Sequence, residues 1–163
     1  MTAPHSIDRG RLKFRVGKPA DVEPLLLKYG AHYFHEAGFD AYSAFDLPRA
    51  IREMQRQIAS DATPFILAEL DGEVVGMVSY TLSHVFTENP IALLWMIYVM
   101  PPHRRGPLGR LLVWFAADVA KAEGACAFFA SIPPVSPAAK SLCNLFRRCG
   151  FEPMGGAFSK RLS

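Results

Sequence analysis

From Lys13 onward, the apolar positions of this chain alternate between short runs and helical stripes. Lys13–Val16 reads as a short strand, and Lys18-Pro19-Ala20-Asp21 opens a helix with an acidic first turn. Val22, Leu25, Leu26, Tyr29 and Tyr33 fall at i, i+3, i+4, i+7 and i+11, one face of that helix. Pro24 is expected in the first turn of this helix, where a proline is tolerated, and Gly38 breaks the pattern. Asp46 caps a second helix with Leu47, Ile51, Met54 and Ile58 on one stripe. Phe65–Leu70 and Val74–Ser83 flank Asp71-Gly72, a hairpin turn pair. Ile91–Met100 is almost wholly apolar, as in a strand covered on both faces, and Pro101-Pro102 ends it. A basic loop then feeds a helix over Leu108–Glu123 with the stripe Leu108, Leu111, Leu112, Phe115, Val119 and Ala122. Ala125–Ile132 reads as a further buried strand. Ser136 and Pro137 start a helix over Ala138–Cys149, Gly150 stops it, and Phe158–Leu162 fits a last strand. The order β-α-α-β-β-β-α-β-α-β predicts an α/β fold with a mixed sheet.

Length and charge narrow the classes. The 163 residues suit one domain, expected over residues 11–163 with residues 1–10 as a flexible leader. The ten-residue run Ile91–Met100 is about half of what a membrane span needs, and Met1–Arg15 lacks the apolar core of a secretory signal. Three cysteines without a CxxC pair argue against a disulfide framework or structural zinc and favour a reducing, cytoplasmic setting. A net charge of +3 is too small to imply a nucleic-acid partner.

Candidate chemistry concentrates between Val99 and Leu112. A buried strand feeds a tight loop with Gly106 and Gly109, and the loop runs into a helix N-terminus. Free backbone N–H groups, the positive dipole end and Arg104, Arg105 and Arg110 together make an anion site suited to phosphate. The competing reading is a solvated basic turn.

This segment resembles the acyl-CoA loop of the GNAT N-acetyltransferase superfamily, Arg/Gln-x-x-Gly-x-Gly/Ala. Arg104-Arg105-Gly106-Pro107-Leu108-Gly109 matches it at the arginine and the final glycine. Arg15 and Ala20-Asp21-Val22 are similar to the family's opening strand and helix, Phe65–Gly76 to its hairpin, and Leu145–Phe151 to its closing helix and Gly-Phe turn. The resemblance implies a mixed sheet of about six or seven strands flanked by about four helices. It also implies acetyl-CoA as co-substrate, no metal, direct transfer to a primary amine, and a fold that can form a homodimer. CoA would meet the backbone of Ile97, Tyr98 and Val99 and the loop Arg104, Arg105, Gly106, Pro107, Leu108, Gly109 and Arg110.

Two departures stand out. Pro107 replaces the first motif glycine, and Phe146 stands where many members carry a tyrosine that protonates the departing thiolate. Leu93 and Trp95 occupy strand positions where some members place a base. That leaves Glu88, His84 and Tyr98 as candidates for proton transfer, each with a loop or packing alternative. His32, His35 and Glu36 lack the His-Glu-x-x-His order of a zinc site, and the resemblance implies acceptor contact instead, because that fold borders its acceptor pocket with the region of the first two helices. The departures keep a second reading open, a catalytically weak CoA-binding or interaction module of the same fold.

Overall fold

The computed structural model describes residues 6–9, 11–60, 63–84, 88–132 and 136–154. Its strands are β1 (Ser6–Arg9), β2 (Leu12–Val16), β3 (Phe65–Leu70), β4 (Glu73–Ser83), β5 (Ile91–Val99) and β6 (Ala127–Ala130). Its helices are α1 (Pro19–Glu36), α2 (Leu47–Ile58), α3 (Leu108–Ala122) and α4 (Ala139–Arg148). The strands form one six-stranded sheet in chain order. All pairs are antiparallel except β5 with β6, so the sheet is mixed. Ser6–Arg9, expected within a leader, instead pairs with β2 from Ser6↔Arg15 to Arg9↔Leu12. The expected strand Phe158–Leu162 lies outside the described residues.

Local chemistry accounts for the element ends. Asp71 and Gly72 both adopt positive φ, 52° and 85°, as the tight β3–β4 turn demands. Asp21 accepts the Lys18 N–H at 2.6 Å and closes the first turn of α1. The same carboxylate takes two bonds from Arg15 at 2.8 Å each, while Arg15 Nε reaches Glu69 at 2.7 Å. One guanidinium thereby joins β2, β3 and α1. The Asp46 side chain accepts the Arg49 N–H at 3.0 Å and caps α2.

Two cores sandwich the sheet. Phe14, Ile66, Val78, Tyr80, Leu94, Leu112 and Phe115 pack on the side of α3 and α4, whereas Leu25, Leu67, Met77, Met96 and Tyr98 pack on the side of α1 and α2. Gly76 permits the approach of α3: a Cβ there would stand 2.7 Å from Leu112 Cδ1.

The strand expected to be covered on both faces is not. Ser79 pairs with Met96 but Tyr80 pairs with Leu94, so Trp95 is an extra residue in β5. This bulge switches faces: Leu94 belongs to the α3 core and Met96 to the α1 core, although they are two residues apart. Leu93 and Trp95 are left 43% and 36% exposed. β6 is also shorter than expected and only half-buried. Among the described residues, no helix is long and apolar enough to cross a membrane.

Candidate active site

The parallel pairing of β5 with β6 runs only from Ile91↔Ala127 to Leu94↔Ala130. Beyond Leu94, β5 continues to Val99 with β4 alone at its side. Met100 donates its N–H to Val75. By the alternation of an antiparallel ladder, Ile97 and Val99 turn their backbone polar groups to the opposite edge, into the gap. A cleft of about 620 Å³ occupies this gap. Trp95, Ile97, Tyr98 and Val99 line one wall, and Ser131, Ser141, Asn144 and Leu145 line the other.

The N-terminus of α3 opens at the same place. Pro107 caps it without a side-chain bond, and its carbonyl accepts the Leu111 N–H at 3.1 Å. The N–H groups of Leu108, Gly109 and Arg110 precede the first intrahelical bond and are the orphan donors of the helix. Pro107 has no N–H to contribute, yet its φ of −77° continues directly into the helix. Gly106, Gly109 and Arg110 line the cleft, whereas Arg105 and Pro107 are exposed outside it. The Leu108 side chain is buried in the α3 core, so only its backbone can serve a ligand. Arg148 of α4 reaches the same cleft, and the Arg110 guanidinium lies over the Trp114 ring at 5.5 Å.

Arg104 is engaged by protein groups. Its two terminal nitrogens hold Glu36 at 2.6 and 2.7 Å, and its Nε donates to the Val99 carbonyl at 2.8 Å. Its guanidinium also lies 5.2 Å from the centre of the Tyr98 ring. The Glu36 carboxylate pushes the guanidinium pKa above its ordinary value. Arg104 lines the cleft and at the same time straps the end of β5 to the last turn of α1.

Of the three proton-transfer candidates, only Tyr98 lines the cleft. His84 and Glu88 are exposed in the segment before β5, and four residue steps along the strand, about 13 Å, separate Ile91 from Trp95. The Tyr98 hydroxyl shares a 2.8 Å hydrogen bond with His32 Nδ1. Glu36 Oε2 stands 3.6 Å from the same nitrogen. Tyr29 and Tyr33 pack their rings on Tyr98 at 6.1 and 5.8 Å. Burial pushes the Tyr98 pKa up, opposed by the Arg104 charge, and burial pushes the Tyr33 hydroxyl up to about 12. His35 pairs with Asp40, and among the described residues no His, Cys, Asp and Glu side chains are grouped to hold a metal.

Phe146 is buried at the cleft wall and packs on Phe151 at 5.3 Å, so α4 offers no hydroxyl there. Ser136 does more than start a helix. Its Oγ accepts the Ala138 N–H at 3.2 Å and donates to the Glu36 carbonyl at 2.6 Å, tying the segment before α4 to α1. Ser141, Asn144 and Arg148, absent from the sequence-based site, carry a readable signal. They recur at i, i+3 and i+7, a polar stripe beside the apolar stripe of Leu142, Leu145 and Cys149.

The comparisons with known proteins agree with this architecture. The chain matches no curated protein. Its fold is similar to that of the aminoglycoside acetyltransferase meta-AAC0020 from an uncultured soil metagenomic sample, at 18% identity and a TM-score of 0.71, covering 94% of this chain and 97% of that one. The aminoglycoside N-acetyltransferase AAC(6')-Iy, solved in complex with CoA, matches at 14% identity and a TM-score of 0.71 over 96% of this chain and 98% of its own. A ribosomal-protein-alanine N-acetyltransferase from Brucella melitensis biovar Abortus 2308 matches at 18% identity and a TM-score of 0.69, covering 94% and 100%. At these identities the likeness concerns the fold. The sequence profile of the acetyltransferase (GNAT) family, however, matches residues 30–151, from the middle of α1 through the Gly150-Phe151 turn after α4. The chain belongs to that family.

Proposed function

We propose that the protein transfers an acetyl group from acetyl-CoA directly to a primary amine. The observation that carries this reading is the gap between β5 and β6 beyond Leu94 and Ala130, with the α3 N-terminus opening into it. The donors present suit the co-substrate. Backbone N–H groups of Leu108, Gly109 and Arg110, with the side chains of Arg110 and Arg148, suit a pyrophosphate. The outward polar groups of Ile97 and the N–H of Val99, whose carbonyl is held by Arg104, suit the amide-bearing pantetheine arm. Acetyl-CoA supplies an activated thioester carbonyl whose leaving thiol, with a pKa near 8.5, departs without an acid. Burial of Phe146 is therefore compatible with turnover.

An alkylammonium must lose a proton before it attacks, because its pKa of about 10 leaves it charged at neutral pH. Tyr98 and His32 are suited to that task. With the acceptor nitrogen beside Tyr98, the phenol oxygen takes the amine proton as its own proton passes to His32 Nδ1. The half-exposed His32 ring then returns the proton to water.

The test is CoA-thiol release from acetyl-CoA against a broad amine panel, with CoA binding measured by calorimetry. Acceptor-dependent release supports the reading. Tight CoA binding with no acceptor-dependent release overturns it in favour of a CoA-binding module, and no CoA binding overturns both.

A further inference from the structure

The two sides of the cleft differ in chemistry. On the α3 and α4 side stand the orphan N–H groups, Arg110 and Arg148, an anion-binding set. On the α1 side stand Tyr33, Phe39 and Tyr98, with the bulge residue Trp95 between the two faces. Phe39 and Trp95 are 39% and 36% exposed and both line the cleft, so their rings are open to a ligand there. The only charges on this side of the cleft among the described lining residues are Glu36 and Arg104, which neutralise one another through two hydrogen bonds. Asp40, next to Phe39, is likewise engaged by His35.

We infer that the acceptor is a primary amine carried on an aromatic or apolar body, not a polycation; this rests on the transferase reading above. A polyamine or aminoglycoside needs several carboxylates free to take its ammonium groups. Here the described cleft offers one carboxylate, already satisfied, against the guanidiniums of Arg104, Arg110 and Arg148. A single amine entering from the α1 side can slide its apolar body between Phe39 and Trp95 while its nitrogen approaches Tyr98. Aromatic faces favour such a body through burial and edge or offset stacking. The bulge explains why a tryptophan stands open at this point: an ordinary register would place position 95 on a regular face of the sheet.

The experiment compares 2-phenylethylamine, spermidine and sisomicin with the full chain, both as acceptors with acetyl-CoA and as ligands of the CoA-saturated protein by calorimetry. The expected result is a kcat/KM for 2-phenylethylamine about tenfold or more above both polycations, as one aromatic contact and one repelled charge can supply. Trp95→Ala and Phe39→Ala should each raise the KM for 2-phenylethylamine about fivefold or more, with the KM for acetyl-CoA unchanged. Equal or better use of spermidine or sisomicin overturns the inference, as does a Trp95→Ala variant indistinguishable from the parent. If no amine is acetylated, the transferase reading fails separately, and calorimetry decides the acceptor class alone. Tighter binding of 2-phenylethylamine than of the polycations sustains it, and any other order, or no binding, overturns it.

Discussion

Arg104 and Glu36, 68 positions apart in the chain, meet in a two-bond ion pair at 2.6 and 2.7 Å that joins the loop before α3 to the last turn of α1. Because Arg104 also holds the Val99 carbonyl, the pair sets the distance between α1 and the open end of β5. Arg104→Ala should leave the CoA dissociation constant within about threefold of the parent. It should cost about 1 kcal/mol of stability, the scale of a partly exposed pair with good geometry. Calorimetry and urea unfolding measure the two effects. A CoA affinity loss of about tenfold or more would return Arg104 to the phosphate site.

Arg110 should behave in the opposite way. It lines the cleft at the α3 N-terminus, with its guanidinium over Trp114. Arg110→Glu places a like charge beside a bound pyrophosphate and, being favourable at a helix N-terminus, competes with it for the positive end of the α3 dipole. CoA affinity should fall about tenfold or more, with little change in unfolding midpoint, and its salt dependence should weaken. Unchanged affinity would remove Arg110 from the site.

Tyr98→Phe keeps the ring packing with Tyr29 and Tyr33 but removes the hydroxyl that meets His32. The expected result is a kcat lower by about a hundredfold and an unchanged KM for acetyl-CoA. His32→Ala should lower kcat similarly. In the double variant the losses should be far from additive, since both residues serve one proton path. Additive losses would separate the two residues.

The Arg15–Asp21 pair makes a pH-dependent contribution to stability. Hydrogen bonds from Arg15 hold the Asp21 carboxyl below its ordinary pKa, with further help from the Lys18 N–H. The unfolded state therefore binds more protons than the folded one as pH falls, so stability rises with pH through this range. The contribution is complete above the unfolded pKa of about 3.9 and is lost as pH falls through the lower folded value. Asp21→Asn should cost about 1–2 kcal/mol near pH 6, with the difference from the parent shrinking below about pH 4. Urea unfolding at several pH values reads this directly.

Gly76 tests the packing of α3 on the sheet. A Cβ there would meet Leu112 Cδ1 at 2.7 Å, and Leu112 is fully buried. Gly76→Ala should destabilise the protein by about 1–3 kcal/mol, and Gly76→Val by more. An unchanged midpoint for both would mean that Leu112 has room to move.

The sequence reading succeeds and fails at identifiable residues. The stripe from Leu108 to Val119 and the Asp71-Gly72 turn announce α3 and the β3–β4 hairpin, because helical period and positive φ are local requirements. The Gly106–Gly109 loop is legible as a helix start with orphan N–H groups, because such groups follow wherever a helix begins. The run Ile91–Met100 misled, since an unbroken apolar segment does not disclose a bulge. His84 and Glu88 adjoin β5 in sequence, but they lie near its Ile91 end and do not line the cleft beside Trp95–Val99.

The order of elements, the turn chemistry and the start of α3 were determined by the sequence alone, because each depends on residues a few positions apart. Tertiary structure decided that Arg104 pairs with Glu36, that Tyr98 meets His32 across 66 positions, and that Trp95 stands open in a bulge. Those outcomes depend on how α1 crosses the sheet and where β6 leaves β5. Such long-range packing assigns partners to side chains that no local pattern can rank.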